Sequence, residues 1–192
     1  FVQVISRAFR ETHHAPILEN WGLLWMWHSL VLLVLCLITN AFQWNGVQSR
    51  LPYLVLWGVG LSVWAGFFWG VRRRAGPITF VERQIAHVWA GSVIASVSLF
   101  WVEALLGRPV LSFSPVLGIV SGVVFLVKAG ILSGRFYLES AALFATGLAM
   151  AWIQTLSRSH GVPDFGITLF GVVSAATFFF PGLKYYRLRR EN

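Results

Sequence analysis

The chain has 192 residues, of which 57% are apolar and 11% charged, and its 15 Lys and Arg against 7 Asp and Glu give a net charge of +8. A soluble domain carries about 25% charged residues; here the polar residues are confined to short stretches between long apolar blocks, which excludes a water-solvated globule and makes lipid the solvent for much of the surface. The basic residues sit between the blocks and build no continuous face, which argues against a nucleic-acid partner.

Residues 1–15 read as an amphipathic juxtamembrane segment. Phe1, Val4, Ile5, Ala8 and Phe9 follow helical spacing with Gln3, Ser6, Arg7 and Arg10 opposite, which fits a helix lying on the inner membrane surface or the cut end of a preceding soluble helix. His13 and His14 are adjacent, so they point different ways on a helix, and no third ligand stands near; a metal site is not expected. The chain begins at Phe1 with no signal-peptide pattern and reads as a fragment of a longer protein.

Residues 16–192 read as a transmembrane domain. A hydrocarbon core about 30 Å thick needs about 20 helical residues. Six blocks supply them, at approximately 21–41, 51–71, 85–106, 114–132, 136–156 and 165–183, the fourth being the shortest. Helix 1 contains the single cysteine, Cys36, so no intrachain disulfide is possible. Asn45-Gly46 marks a tight turn after it. Thr79 and Glu82 have capping-box spacing, which starts helix 3 near Phe80. Ser114-Pro115 places an N-cap before a first-turn proline for helix 4, Gly134 is placed to end it, and Asp164 to cap helix 6. The fold class is therefore all-α: a polytopic bundle of six transmembrane helices whose short connections make successive helices antiparallel neighbours.

The six blocks sort the basic residues. Arg7, Arg10, Arg72, Arg73, Arg74, Arg83, Lys128, Arg135, Lys184, Arg187, Arg189 and Arg190 fall on one side, and Arg50, Arg108 and Arg158 on the other. This 12-to-3 division respects every loop and predicts both termini in the cytoplasm of a cell with an inner membrane. Aromatics gather at both predicted interfaces: Trp21, Trp25, Trp27, Trp69, Trp89, Tyr137, Tyr185 and Tyr186 inside, and Trp44, Tyr53, Trp57, Trp101 and Trp152 outside. They serve as interfacial belts or as bundle packing.

Small-xxx-small spacings let helix backbones approach in lipid. Ser114, Gly118 and Gly122 form such a ladder on helix 4, and Gly66/Gly70, Gly91/Ala95 and Gly171/Ala175 repeat it. Contacts inside the bundle are the expected use, with oligomerisation through one of these faces the alternative. Ionisable residues within membrane segments are candidate sites. Glu139 lies about a turn into helix 5, with Lys128 its expected partner and Arg135, four residues before it, the alternative. Glu103 lies near the outer end of helix 3, one turn from Arg108. His28 and His87 lie near the inner face, and all of these are expected to serve structure. No nucleophile, nucleotide-loop or metalloprotease motif is present, and no catalytic, cofactor-binding or metal residue is assigned. Asp164-Phe165-Gly166 spells the kinase metal-binding tripeptide, but it runs straight into a helix on the outer side and reads as a cap.

Two longer stretches carry a resemblance. They are Glu82-Arg83-Gln84-Ile85-Ala86-His87-Val88-Trp89-Ala90 and Leu169-Phe170-Gly171-Val172-Val173-Ser174-Ala175-Ala176 running to Phe180-Pro181-Gly182-Leu183-Lys184-Tyr185-Tyr186. Leu111-Ser112-Phe113-Ser114-Pro115-Val116-Leu117 and Phe125-Leu126-Val127-Lys128-Ala129-Gly130 lie between them. Together they resemble the C-terminal membrane region of serine/threonine-protein kinases of planctomycete-type bacteria, covering helices 3 to 6 best. The resemblance implies a cytoplasmic kinase domain ahead of Phe1, which would use ATP and Mg, and a fragment without catalytic residues or cofactors whose partners are the bilayer and that domain. The implied role is membrane anchoring, with sensing added. The alternatives are a small transporter or channel, which needs a polar pathway from residues such as Gln154, Thr146 and Glu103, and a non-catalytic membrane subunit of a larger complex.

Overall fold

A computed structural model of the chain describes residues 2–73 and 80–191, with side chains described from Gly22 onward except those of Val71, Arg73, Tyr185 and residues 188–191. Thr79 of the capping pair, Arg74, and the faces of the 1–15 segment with His13 and His14 lie outside the described residues. Among the described residues there are six helices and no strand: α1 Val2–Trp44, α2 Leu51–Arg73, α3 Phe80–Leu105, α4 Pro115–Ile131, α5 Phe136–His160 and α6 Gly166–Glu191. Five carry apolar spans long enough to cross a bilayer, the shortest being the 19 residues Gly166–Lys184. The sixth, α4, has 17 residues, and the turns at 110–114 that precede it add to its reach. The chain is a multi-pass, all-helical membrane protein.

Four helices make the core. α1 lies along α6, α4 along α5, and α5 against α6. α2 joins this core through α1, and α3 through α4, so both are peripheral. Only 6% of the apolar span of α2 and of α3 is buried, against 50% in α1 and α6. Both peripheral helices are apolar all round and have no polar face to turn to water, which is the pattern of a helix solvated by lipid.

The core helices meet through glycine. A Cβ built on Gly118 would lie 2.5 Å from the Gly147 backbone nitrogen, and one on Gly171 would lie 2.6 Å from Cys36 Cβ. At Gly118 two backbones touch, and at Gly171 the α6 backbone meets the Cys36 side chain; a larger residue at either glycine would hold the helices apart, and dispersion and short polar contacts gain from the approach. Ser140 Oγ then reaches the Gly122 carbonyl at 2.8 Å, stitching α5 to α4. Gly66, Gly70 and Gly91 do the opposite of what their spacing suggested: nothing lies within 4 Å of a Cβ at any of them. They sit on the two peripheral helices, whose outward faces have no neighbour inside the bundle.

The helix ends depart from expectation in informative ways. α5 runs a turn past residue 156 to His160, because the left-handed residue that stops it is Gly161, at φ 66°. Ser114 does not cap α4; it is itself helical, at φ −52° and ψ −33°, and its hydroxyl makes no cap hydrogen bond. The preceding turn has already taken up the free N–H groups, as shown below. Asp164 does serve the start of α6, its Oδ1 accepting the Gly166 N–H at 2.8 Å. Gly46 takes a left-handed φ of 71° in the turn after α1. The aromatic sets divide: Trp27, Trp69, Tyr137, Trp44, Trp101 and Trp152 are exposed at the bundle surface, whereas Trp25 and Tyr53 are buried.

Gly118→Leu should therefore cost stability at the upper end of about 1–3 kcal/mol, because the obstacle is the Gly147 backbone and not a mobile side chain. Val120→Leu, on another face of the same helix, should cost less. Denaturant or thermal unfolding in detergent, followed by tryptophan fluorescence, reads the difference; equal tolerance at both positions would contradict the packing.

Candidate functional site

Lys128 lies in the last turn of α4, and it is 2% exposed. Its ammonium sits among four aromatic rings, with Nζ 4.1 Å from the centroid of Phe125, 4.4 Å from Trp25, 4.7 Å from Phe136 and 4.9 Å from Phe178. These rings come from α4, α1, α5 and α6, one from each core helix. Among the described residues Nζ has no hydrogen-bond partner. A cation facing aromatic π-clouds gains about 2 kcal/mol or more per favourable ring when water is excluded, which offsets part of the desolvation cost of a buried ammonium.

The expected Lys128–Glu139 contact is not formed as an ion pair. Glu139 instead faces Arg135, with Oε1 3.9 Å from Nε, while its Oε2 has no partner among the described residues. Arg135 is 61% exposed, so this i,i+4 pair contributes no more than about 0.5 kcal/mol. The physical reason is geometric: Lys128 points into the bundle between the core helices, and Glu139 sits at its edge.

Glu103 also has a different partner from Arg108. Its carboxylate accepts the backbone N–H of Leu111 at 3.0 Å and of Phe113 at 2.7 Å. Arg108 enters through its backbone, donating its N–H to the Glu103 carbonyl at 2.8 Å. Leu111 is held at φ 65°, a left-handed conformation that costs a leucine about 1–2 kcal/mol, and Gln154 Nε2 donates to its carbonyl at 3.1 Å. One buried carboxylate thus organises the α3–α4 connection and presents the start of α4 already wound, which is why Ser114 has no capping work to do.

A third polar junction ties α1 to the start of α6. Asn40, fully buried, donates to the Asp164 carbonyl at 2.8 Å and accepts both the N–H and the hydroxyl of Thr168, at 3.0 and 2.7 Å. Trp44 Nε1 donates to the same carbonyl at 2.9 Å. Sequence reading did not single out Asn40; its signal was an amide inside an apolar block, where an unsatisfied polar group is costly.

The peripheral helices leave a cleft. Its back wall is α1, α4 and α6, and its flanks are α2 and α3, enclosing about 130 Å³. The lining is apolar and rich in aromatic residues, among them Trp57, Trp89, Phe125 and Phe178. His28 lines it too, its ring packed edge-on against Trp89 and Phe178 at 4.9 and 4.8 Å. Ser174 lines the α6 wall, and its buried Oγ has no partner among the described residues. Phe125 and Phe178 belong both to the cleft and to the Lys128 cage.

No family model matches the chain, and no curated protein or solved structure matches it.

The cage has a measurable signature. Lys128→Met should leave the fold intact with thermal stability unchanged or raised, because an apolar side chain of similar length removes the desolvation cost. Trp25→Ala should lose about 3–5 kcal/mol by opening a cavity beside the ammonium. Unfolding curves for the two variants separate these effects; a collapse of Lys128→Met would show that the charge itself holds the core. At the other end, Glu103→Ala should destabilise by about 2–4 kcal/mol, since it strands two buried N–H groups beside a strained leucine. A loss below 1 kcal/mol would remove that role for the carboxylate.

Proposed function

We propose that this chain is the membrane-anchoring and sensory domain of a bacterial serine/threonine-protein kinase, is itself non-catalytic, and lies in the inner membrane with both termini in the cytoplasm. The observation that carries the reading is the 12-to-3 division of Lys and Arg across an even number of helices. Six crossings return the chain to the side on which it started. The positive-inside rule makes that side the cytoplasm, where ATP is available to a kinase domain ahead of Phe1. The resemblance of residues in α3 to α6 to the membrane regions of planctomycete-type kinases supplies the kinase part of the proposal.

The ends of the helices support the same arrangement. Arg72 Nε donates to Glu82 Oε1 at 2.7 Å, closing α2 onto α3 at the basic end. Arg50 Nη2 donates to the Arg108 carbonyl at 2.6 Å at the opposite end. The polar side chains that a conduction pathway would draw on are engaged locally: Gln154 on Leu111, Thr146 on the Ala142 carbonyl at 2.8 Å, and Glu103 on the α3–α4 connection. That favours an anchor over a transporter or channel.

Reporter fusions test the topology. Fusions after Asn45, Arg108 and Ser159 should report the external side, and fusions after Ala75, Ser133 and Asn192 the cytoplasm. A cytoplasmic signal at Arg108 would overturn the orientation. The kinase assignment is tested separately by the reading frame upstream of Phe1, which should encode a kinase catalytic domain.

A further inference from the structure

We infer that the cleft between the peripheral helices and the core binds one neutral lipid with a flat, carbonyl-bearing ring, a prenylquinone, which enters sideways from the bilayer between α2 and α3. This goes beyond the anchoring role and does not depend on the kinase assignment.

The way in follows from how the two peripheral helices are held. α2 reaches the core through α1, and α3 through α4, while α2 and α3 make no broad contact with each other. They are joined at their ends, by Arg72 to Glu82 on one side and by Arg50 to the Arg108 carbonyl on the other. Two helices clamped at both ends and apart between them frame a window at hydrocarbon depth. The residues behind that window, Trp57 and Leu61 on α2 and Trp89, Ser96 and Phe100 on α3, line the cleft. A molecule dissolved in the bilayer reaches this space without crossing water.

The lining selects among lipids. It holds no Lys, Arg, Asp or Glu, so a charged headgroup would enter unpaired and at high cost. The occupant is therefore uncharged. The walls mix aliphatic with aromatic side chains, and the aromatic ones Trp89, Phe125 and Phe178 stand together at the inner half beside His28, where a planar ring gains offset or edge contacts that a saturated chain does not. Trp57 is already committed, its Nε1 donating to Thr39 at 2.9 Å. Ser174 is different. Its hydroxyl is buried on the α6 wall, one turn before Phe178, without a partner among the described residues, and a donor left unsatisfied in an apolar site is costly. A carbonyl oxygen on a ring lying against Phe178 would satisfy it. The enclosed space, about 130 Å³, is smaller than a site for a whole drug-sized molecule, about 300–1,000 Å³; it admits a single ring head, and the tail stays outside in the window and the bilayer.

The test is photolabelling. The chain is reconstituted in phosphatidylcholine nanodiscs with a diazirine-bearing prenylquinone, illuminated, and the labelled peptides are located by mass spectrometry. Label should fall on the α3 peptide around Ser96 and the α6 peptide around Ser174, and excess unlabelled prenylquinone should remove it. Ser174→Ala should weaken the competable labelling about fivefold, the worth of one neutral hydrogen bond, with no loss of stability in the unfolding curve of the ligand-free protein. Ser96→Trp, which fills the cleft, should abolish it. Label spread over outward residues such as Leu105, Leu138 and Leu148 and indifferent to competitor would overturn the site. Equal labelling of the cleft by a diazirine-tailed phosphatidylcholine that prenylquinone fails to displace would overturn the ligand class, because an ordinary acyl chain would then be the occupant. Undiminished labelling of Ser174→Ala would remove the hydroxyl from recognition.

Discussion

The enclosure of the Lys128 ammonium by one ring from each core helix is the contact on which the arrangement of the bundle turns. A buried ammonium that no carboxylate contacts directly is tolerated in a low-dielectric interior only where something else faces its charge at close range. Here that something is Trp25, Phe125, Phe136 and Phe178, at 4.1 to 4.9 Å. Because the four rings come from α1, α4, α5 and α6, the charge can be solvated only when all four helices are in register at this end. Trp25 and Phe136 meet edge-on at 5.9 Å, and Phe125 and Phe178 at 5.0 Å, so the rings also pack on one another around the cation. The cost of burying the charge thus selects one arrangement of the core over others with similar apolar contact, a role in specificity more than in stability.

At the opposite end the same problem is solved with hydrogen bonds. Glu103 gathers two N–H groups of the α3–α4 connection, and Asn40 gathers the turn before α6. Between these polar ends the helices are held by close approach at glycine, to the Gly147 backbone at Gly118 and to the Cys36 side chain at Gly171. This division fits a bilayer. Lipid gives little drive for apolar helices to associate, so close packing and a few satisfied polar groups must fix the geometry. α2 and α3 make no comparable glycine-to-backbone approach among the described residues, and they are the two that lie outside the core.

Much of this was legible in the sequence. The helix count and the fold class followed from block length, and Gly46 and Asp164 were readable as a turn and a cap. The ladder on α4 announced a close approach, though not that Gly147 would be its partner. The site residues were read less well, for a physical reason. Sequence proximity offered Lys128 to Glu139 first, with Arg135, which Glu139 does face, as the alternative; the surroundings of Lys128 are set by tertiary packing, since it meets Trp25 from 103 positions away (128 − 25), and no local pattern encodes that. The ladders on α2 and α3 misled because small-residue spacing says that a helix can approach another, and does not say that one is there. Helices apolar on every face also carry no periodicity from which an inner side can be read, so the cleft that α2 and α3 flank left no trace in the sequence beyond Ser96 and Ser174 in apolar runs.

The cleft and the cage share two walls. Phe125 and Phe178 face the cleft on one side and the Lys128 ammonium on the other. A molecule seated in the cleft therefore touches rings whose positions also determine how well the cation is solvated. Contact alone is not coupling; a ligand shifts an equilibrium only by the difference in its affinity for two states. The structure does supply an element in which such a difference can arise. Rings that rotate or slide to accommodate an occupant change their distance to Nζ, and cation–π attraction depends steeply on placement over the ring face. The ammonium touches one ring from each of four helices, whereas α2 and α3 reach the core only through α1 and α4. The proposed occupant would thus enter beside α2 and α3 and bear on the core at Phe125 and Phe178.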